Sequence, residues 1–188
     1  TACKAPSEPF AFGTTYTSFA DLNAAVGTAP DALVFSNGAI RDTDKVSGSS
    51  DFDTVTGSAT YNGAVVLEQE DASGTLIGQL QLEVAFGTNT MDGRAGNFID
   101  SDDGAYIGTL LGNTTFIEDV DTGTGEDHFQ MTLTGGLSNG GNSDAVTLML
   151  NGNFFNDGSA VDSIAGDADI NLGDAGPAYD EGAFGAVR

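Results

Sequence analysis

The sequence predicts an all-β protein: an eight-stranded antiparallel up-and-down β-barrel, preceded by a mostly irregular N-terminal segment that contains one short helix. From about residue 57, apolar and polar residues alternate in eight segments, which is the period of a half-buried strand. Gly, Asn and Asp fill the breaks between these segments, and most breaks are short enough for hairpins. Eight strands in hairpin order close most simply into a barrel, which leaves no exposed strand edge. A two-sheet sandwich is the alternative fold.

The composition agrees with a folded, acidic domain. The chain has 188 residues, and its hydrophobic share of 39% is enough for a packed core. Its formal net charge is −23, from 28 acidic and 5 basic residues, and so few basic residues exclude nucleic acid and anionic membrane surfaces as partners. One Cys and one His exclude an intrachain disulfide and a His- or Cys-rich zinc site. The acidic excess predicts a well-solvated surface, and a cationic ligand is the alternative explanation.

The N-terminal part differs in texture from the rest. Residues 1–54 are predicted to form a tether and irregular segment, and residues 55–188 the barrel domain. Within the segment, 18–27 has the pattern of a short helix, because a serine suits the N-cap, apolar residues recur at spacings of three and four, and a glycine ends it. Residues 32–35 predict a short strand, and 41–53 a polar linker.

Cys3 is a candidate lipidation site. It follows small residues and precedes a polar, Pro-containing stretch, so the start of the chain resembles the tail of a bacterial lipobox followed by a tether. This resemblance implies a lipid anchor and an exported protein, located at the outer-membrane surface, in the periplasm or outside the cell. The alternative is a free thiol, because lipoprotein processing would remove Thr1 and Ala2. The chain has no run of 18 apolar residues, so no transmembrane helix is predicted.

Eight strands are predicted in the barrel region. Their ranges are 59–68, 76–86, 90–99, 105–115, 127–135, 145–155, 160–170 and 182–187. Phe154 and Phe155 would point to opposite faces, one into the core and the other against the N-terminal segment or into solvent. The pairs Gly135-Gly136 and Gly140-Gly141 predict turns. A membrane barrel shows the same alternation, but it would need aromatic girdles, and the chain has no Trp and four Tyr.

Short glycine-rich pieces recur along the barrel region. They lie at 56–63, 86–93, 95–98, 150–158, 165–166 and 181–188. In this order they resemble the C-terminal β-barrel domain of the transferrin-binding-protein-B-like family of bacterial surface lipoproteins, over roughly residues 55–188. The resemblance implies a non-enzymatic binding protein with an eight-stranded barrel; its relatives include receptors for transferrin, haemoglobin or haem and regulators of host complement. The chain has one barrel and is far more acidic than the bilobed receptors, so neither transferrin specificity nor individual binding residues are carried over.

His128 is the only histidine, and it lies beside Glu126 and Asp127 on the predicted polar face of its strand. One hypothesis makes it a haem or metal ligand, or the base of a small hydrolase. We favour a solvated surface imidazole, because a single His lacks partners for catalysis or for a closed metal site.

Two acidic turns could supply oxygen ligands to Ca²⁺. Asp119, Asp121, Glu126 and Asp127 lie in one turn, and residues 100–104 contain three further carboxylates. Ca²⁺ takes six to eight oxygens, which alternating Asp and Gly can provide. Neither turn matches the EF-hand loop, and a solvated hairpin turn is the alternative. No cofactor is predicted, with Ca²⁺ and haem kept as alternatives.

Three functions follow from these observations. The leading one is a non-enzymatic cell-surface or secreted protein that binds a protein or small-molecule ligand, with iron, haem or a host or partner protein as the classes considered. The alternative is a structural accessory subunit of a larger bacterial envelope assembly. The third is a small hydrolase.

Overall fold

The structure, a computed structural model, describes residues 16–26, 45–71, 73–121, 123–156, 161–180 and 182–188. Within these residues it contains helices α1 (Phe19–Val26) and α2 (Ser49–Phe52) and strands β1 (Lys45–Val46), β2 (Ser58–Glu68), β3 (Thr75–Ala85), β4 (Thr90–Asp100), β5 (Gly104–Thr115), β6 (Phe129–Asn139), β7 (Asn142–Asn156), β8 (Val161–Asn171) and β9 (Gly182–Val187). Cys3 and the predicted strand at 32–35 lie outside the described residues. No helix in the described part is long and apolar enough to cross a membrane.

Strands β2 to β9 form a closed antiparallel barrel. Each strand pairs with the next one along the chain, and β9 pairs with β2 to complete the circle, for example at Val65 and Phe184. The predicted up-and-down barrel is therefore confirmed, and the sandwich alternative is wrong. Alternation identified the strands because each one has a face toward the interior and a face away from it.

The predicted turn at Gly135-Gly136 is wrong. Both residues lie inside β6, where Gly136 pairs with Ala145 of β7. The turn falls five residues later, at Gly140 and Gly141, which both have positive φ (57° and 95°). Such φ values favour glycine and suit a two-residue hairpin turn. One glycine pair thus lies within a strand and the other forms a turn. Only the pairing of β6 with β5 and β7 shows which pair is which.

Apolar side chains from all eight barrel strands fill the interior as one contact cluster. The largest fully buried members are aromatic: Tyr61, Phe98, Phe154 and Phe184. The Tyr61 hydroxyl donates a hydrogen bond of 2.8 Å to the Val161 carbonyl oxygen, which satisfies its polar atom inside the core. The barrel interior is thus a packed core, and a ligand would have to be contacted elsewhere.

Helix α1 packs against the outside of the barrel, and the predicted helix at 18–27 is confirmed over the described residues. The Ser18 hydroxyl accepts a hydrogen bond of 3.2 Å from the Asp21 backbone N–H, as an N-cap does. Leu22 is fully buried in a second cluster with Ile77 of β3 and Ile99 of β4. The helix therefore covers apolar side chains that would otherwise face solvent.

The described part of the predicted linker at 41–53 belongs to the barrel. Strand β1 pairs with the end of β7, where Val46 lies opposite Phe155, and both Phe154 and Phe155 are buried. Helix α2 then places Phe52 in the core cluster, with its ring centroid 5.4 Å from that of Phe154. Strand β7 extends beyond the last residue that pairs with β6, and β1 pairs with this extension of β7. The boundary proposed at residue 54 stays a prediction.

Candidate binding surface

His128 is buried at 1% exposure, so the predicted surface imidazole is wrong. The residue precedes β6, and the strand alternation therefore does not set its orientation. Phe52 of α2 and Phe154 of β7 pack against it instead, each with its ring centroid 5.5 Å from that of the imidazole. The spacing predicted an exposed position for His128, but the residue is buried because a segment distant in sequence folds over it.

Both ring nitrogens of His128 have structural partners. With the proton on Nε2, the ring donates a 2.9 Å hydrogen bond to the Ser47 carbonyl oxygen, and Nδ1 accepts one of 3.2 Å from the Phe154 N–H. Nδ1 also lies 3.0 Å from the side-chain oxygen of Asn153. Burial lowers the pKa of His128, and the Asn153 side chain opposes that shift. The imidazole thus joins the N-terminal segment to the barrel, and neither nitrogen is open to haem, metal or substrate.

The acidic turn before β6 uses its carboxylates locally. Asp121 accepts a 2.9 Å hydrogen bond from the Gly123 N–H, and Asp127 accepts one of 2.8 Å from the Asn153 amide. Glu126 lies 3.4 Å from the Asp121 N–H, and Asp119 is exposed. In the part of the chain that the structure describes, no three His, Cys, Asp or Glu side chains are placed to hold a metal. The Ca²⁺ site therefore stays a prediction without structural support.

The second acidic turn is organised around Asp100, which is buried at the opposite end of β4 from Thr90. One carboxylate oxygen accepts the N–H groups of Asp102 (2.7 Å) and Asp103 (2.9 Å). The other accepts the Tyr179 hydroxyl (2.8 Å) and the Gln69 amide (3.3 Å). Burial raises the pKa of the Tyr179 hydroxyl most, and its hydrogen bond to Asp100 raises it further. Asp100 is thus fully engaged in holding the turn and cannot contribute to an open metal site.

A face without charge lies on the outside of β5, β6 and β7. We call it the neutral stripe, and it consists of every second residue over 107–115, 130–138 and 143–151. All fifteen residues are uncharged, and most are Thr, Ser, Asn or Gln. Strand pairing aligns them in rows across the sheet, such as Leu111, Thr134 and Thr147. A chain with a net charge of −23 thus leaves three adjacent strands free of charge on their outer side.

Charges return immediately on both sides of the neutral stripe. Asp92 and Arg94 follow on β4, and Asp167 and Asp169 on β8, where the latter pair lies opposite 151 and 149 of the stripe. Inside the stripe, large apolar side chains face solvent: Ile107 is 76% exposed and Leu111 43%. Exposed apolar residues framed by polar and charged ones are typical of a contact surface.

An open groove of about 460 Å³ crosses one end of the neutral stripe. Small side chains form its floor, since Gly136 and Ala145 lie side by side on β6 and β7. Ile107, Ser138 and Ser143 are part of its lining.

A single carboxylate, that of Asp144, also lines the groove. It accepts hydrogen bonds from the N–H groups of Ala145 (2.7 Å) and Asp174 (2.9 Å). These two N–H groups lower the pKa of Asp144, so it is an acceptor at neutral pH. The groove therefore offers aliphatic surface, hydroxyl groups and one fixed acceptor.

Sequence reasoning directed attention to the acidic turns and missed this face. Its signal was present, because three consecutive predicted strands lack charge at every outward position. What the sequence did not give is the register that brings Ile107, Ser138 and Ser143 into one row. The Gly140-Gly141 turn sets the register of β6 against β7, whereas the register of β5 against β6 is set by pairing across the longer connection between those strands.

The comparisons with known proteins add no family. No family model matches the sequence, and no curated protein matches it. The resemblance to the transferrin-binding-protein-B-like family accordingly stays a prediction.

Proposed function

We propose that this chain is a non-enzymatic binding protein that contacts its partner through the neutral stripe. The observation that carries the proposal is the exposure of Ile107 and Leu111 on an uncharged face of a strongly acidic chain. An uncharged polar face costs less to desolvate than the charged surfaces on either side of it.

The interior of the barrel and the lone histidine support an external, non-catalytic site. Aromatic side chains such as Phe98 and Phe184 occupy the space that a barrel with an internal ligand would leave open. His128 is held by Ser47 and Phe154, and no nucleophile contacts its ring nitrogens among the described residues. A hydrolase that uses His128 as its base, or a haem protein that uses it as its ligand, would first have to displace the N-terminal segment.

We propose that the protein is exported and that Cys3 carries the lipid anchor. The lipobox-like start and the resemblance of residues 55–188 to surface lipoproteins support this location. An anchor at Cys3 would tether the barrel to the membrane through the N-terminal segment.

Position-specific cross-linking in the source cells tests the proposal. A benzophenone side chain at Ile107 reacts with C–H bonds of whatever lies against the stripe, and the same group at exposed Thr60 of β2 is the matched control. We expect a discrete adduct from position 107 and none from position 60. A stoichiometric adduct with one envelope protein would identify the accessory-subunit form of the function. Equal adducts from both positions, or none from 107, would contradict the proposal.

A further inference from the structure

We propose that the groove beside Gly136 binds a neutral saccharide. This inference rests on the proposed function and specifies its ligand class. It concerns the part of the neutral stripe formed by Ile107, Ser138, Ser143 and Ala145, with Asp144 at the edge.

Charge narrows the ligand class first. The groove contains no Lys or Arg, and the chain carries a net charge of −23, so an anionic ligand would meet repulsion without a compensating partner. A cationic ligand would meet a single carboxylate in the lining, that of Asp144, and both of its oxygens already accept hydrogen bonds from the N–H groups of Ala145 and Asp174. A neutral ligand is the class that gains from this position.

The lining then favours a molecule that is polar at its edges and apolar on its faces. Ser143 provides a hydroxyl group that both donates and accepts, and Asp144 provides an ionised acceptor. The Ser138 hydroxyl donates to the Ile107 carbonyl oxygen at 3.5 Å, so it serves the groove as an acceptor. Ile107 and Ala145 provide aliphatic surface beside them. A pyranose ring has this arrangement, with hydroxyl groups around its rim and C–H bonds on its faces.

The area of the neutral stripe favours a small ligand over a protein partner. Three strands about 4.8 Å apart, followed over positions 107 to 115 at about 3.3 Å per residue, cover roughly 400 Å². A stable protein interface needs about 800 Å² on each partner. The groove of about 460 Å³, in contrast, falls within the range of small-ligand sites, which is about 300–1,000 Å³.

Gly136 gives a way to fill the groove without disturbing the barrel. A Cβ atom built there meets only the Asp144 carbonyl oxygen, at 3.8 Å, which is an ordinary contact. The Gly136→Val variant therefore places two methyl groups on the floor of the groove. Gly87→Val is the matched control, because its Cβ has no neighbour within 4 Å and it lies in the β3–β4 connection.

Amide chemical shifts of the full chain, titrated with cellotriose, maltotriose and N-acetylchitotriose, test the inference, with 3′-sialyllactose as the anionic comparison. We expect saturable shifts at 107, 138 and 143–145 with at least one neutral trisaccharide, affinity lowered at least about tenfold in Gly136→Val, which is 1.4 kcal/mol, and unchanged affinity in Gly87→Val. Shifts confined to other residues, equal binding by Gly136→Val, or no shift with any neutral probe would overturn it. A protein adduct from position 107 without saccharide shifts would overturn the ligand class alone and keep the proposed function.

Discussion

Two neighbouring glycines of β6 should respond in opposite ways to the same substitution. A Cβ atom at Gly135 would overlap the Thr109 carbonyl oxygen of β5 and press on Leu110, whereas one at Gly136 meets nothing closer than 3.8 Å. Backbone cannot move out of the way as a flexible side chain can, so Gly135→Ala must push β5 and β6 apart.

The structure sets the size of the difference. Overpacking of this kind costs about 1–3 kcal/mol, and we expect Gly135→Ala to fall at the upper end because the obstacle is a carbonyl group. Gly136→Ala removes the entropic penalty of a glycine within a strand and should stabilise the barrel by about 0.5–1 kcal/mol. The two variants should therefore differ by about 3.5–4 kcal/mol, or about 7–16 °C in Tm for a chain of this size.

Urea unfolding followed by circular dichroism measures this difference directly. The slope of the transition should stay constant among wild type and both variants, so that the midpoints report stability alone. Equal midpoints for the two alanine variants would refute the close approach of β5 to Gly135 and the open floor at Gly136.

Three other substitutions test the N-terminal junction and the Asp100 turn. Phe52→Ala should lower the unfolding free energy by about 3–5 kcal/mol in urea unfolding, because it leaves a cavity against Phe154; a loss below about 1 kcal/mol would mean that α2 is not part of the core. Since burial lowers the pKa of His128 below 6.5, the unfolded chain binds its proton first, and the unfolding free energy should fall as the pH drops below 6.5. His128→Gln should flatten that fall below pH 6.5 in pH-dependent urea titrations, and an unchanged slope would contradict a buried, neutral imidazole. Asp100→Ala should cost about 1–3 kcal/mol in thermal unfolding, because it leaves the Tyr179 hydroxyl and two turn N–H groups without their acceptor; a variant as stable as wild type would show that water replaces the carboxylate.

The barrel was predictable because its information is local. Alternation marks each strand, and short Gly, Asn and Asp breaks mark the hairpins, so all eight barrel strands could be placed from the sequence. The contribution of β1 and α2 is not local. Ser47 contacts His128 across 81 residues of chain, and Phe52 contacts Phe154 across a still longer stretch. No periodicity near residue 50 indicates those partners.

The candidate site shows the same division. Composition draws attention to the acidic residues, yet Asp100 and Asp127 serve as hydrogen-bond acceptors for nearby groups. The neutral stripe depends on absent charges in three strands and on the register that aligns them. Register in turn depends on which glycine pair forms the turn, and that choice is made by tertiary pairing of β5, β6 and β7.

The location of the contact surface is tested most directly by adding one negative charge at two matched positions and measuring the adduct from position 107. Thr147→Glu places the charge in the middle of the neutral stripe, and Ser58→Glu places it on exposed β2, on a strand outside the stripe. Both variants gain the same net charge and should fold as wild type does. We predict that Thr147→Glu abolishes the adduct and that Ser58→Glu retains it. Retention of the adduct by Thr147→Glu, or its loss in both variants, would contradict binding through the neutral stripe.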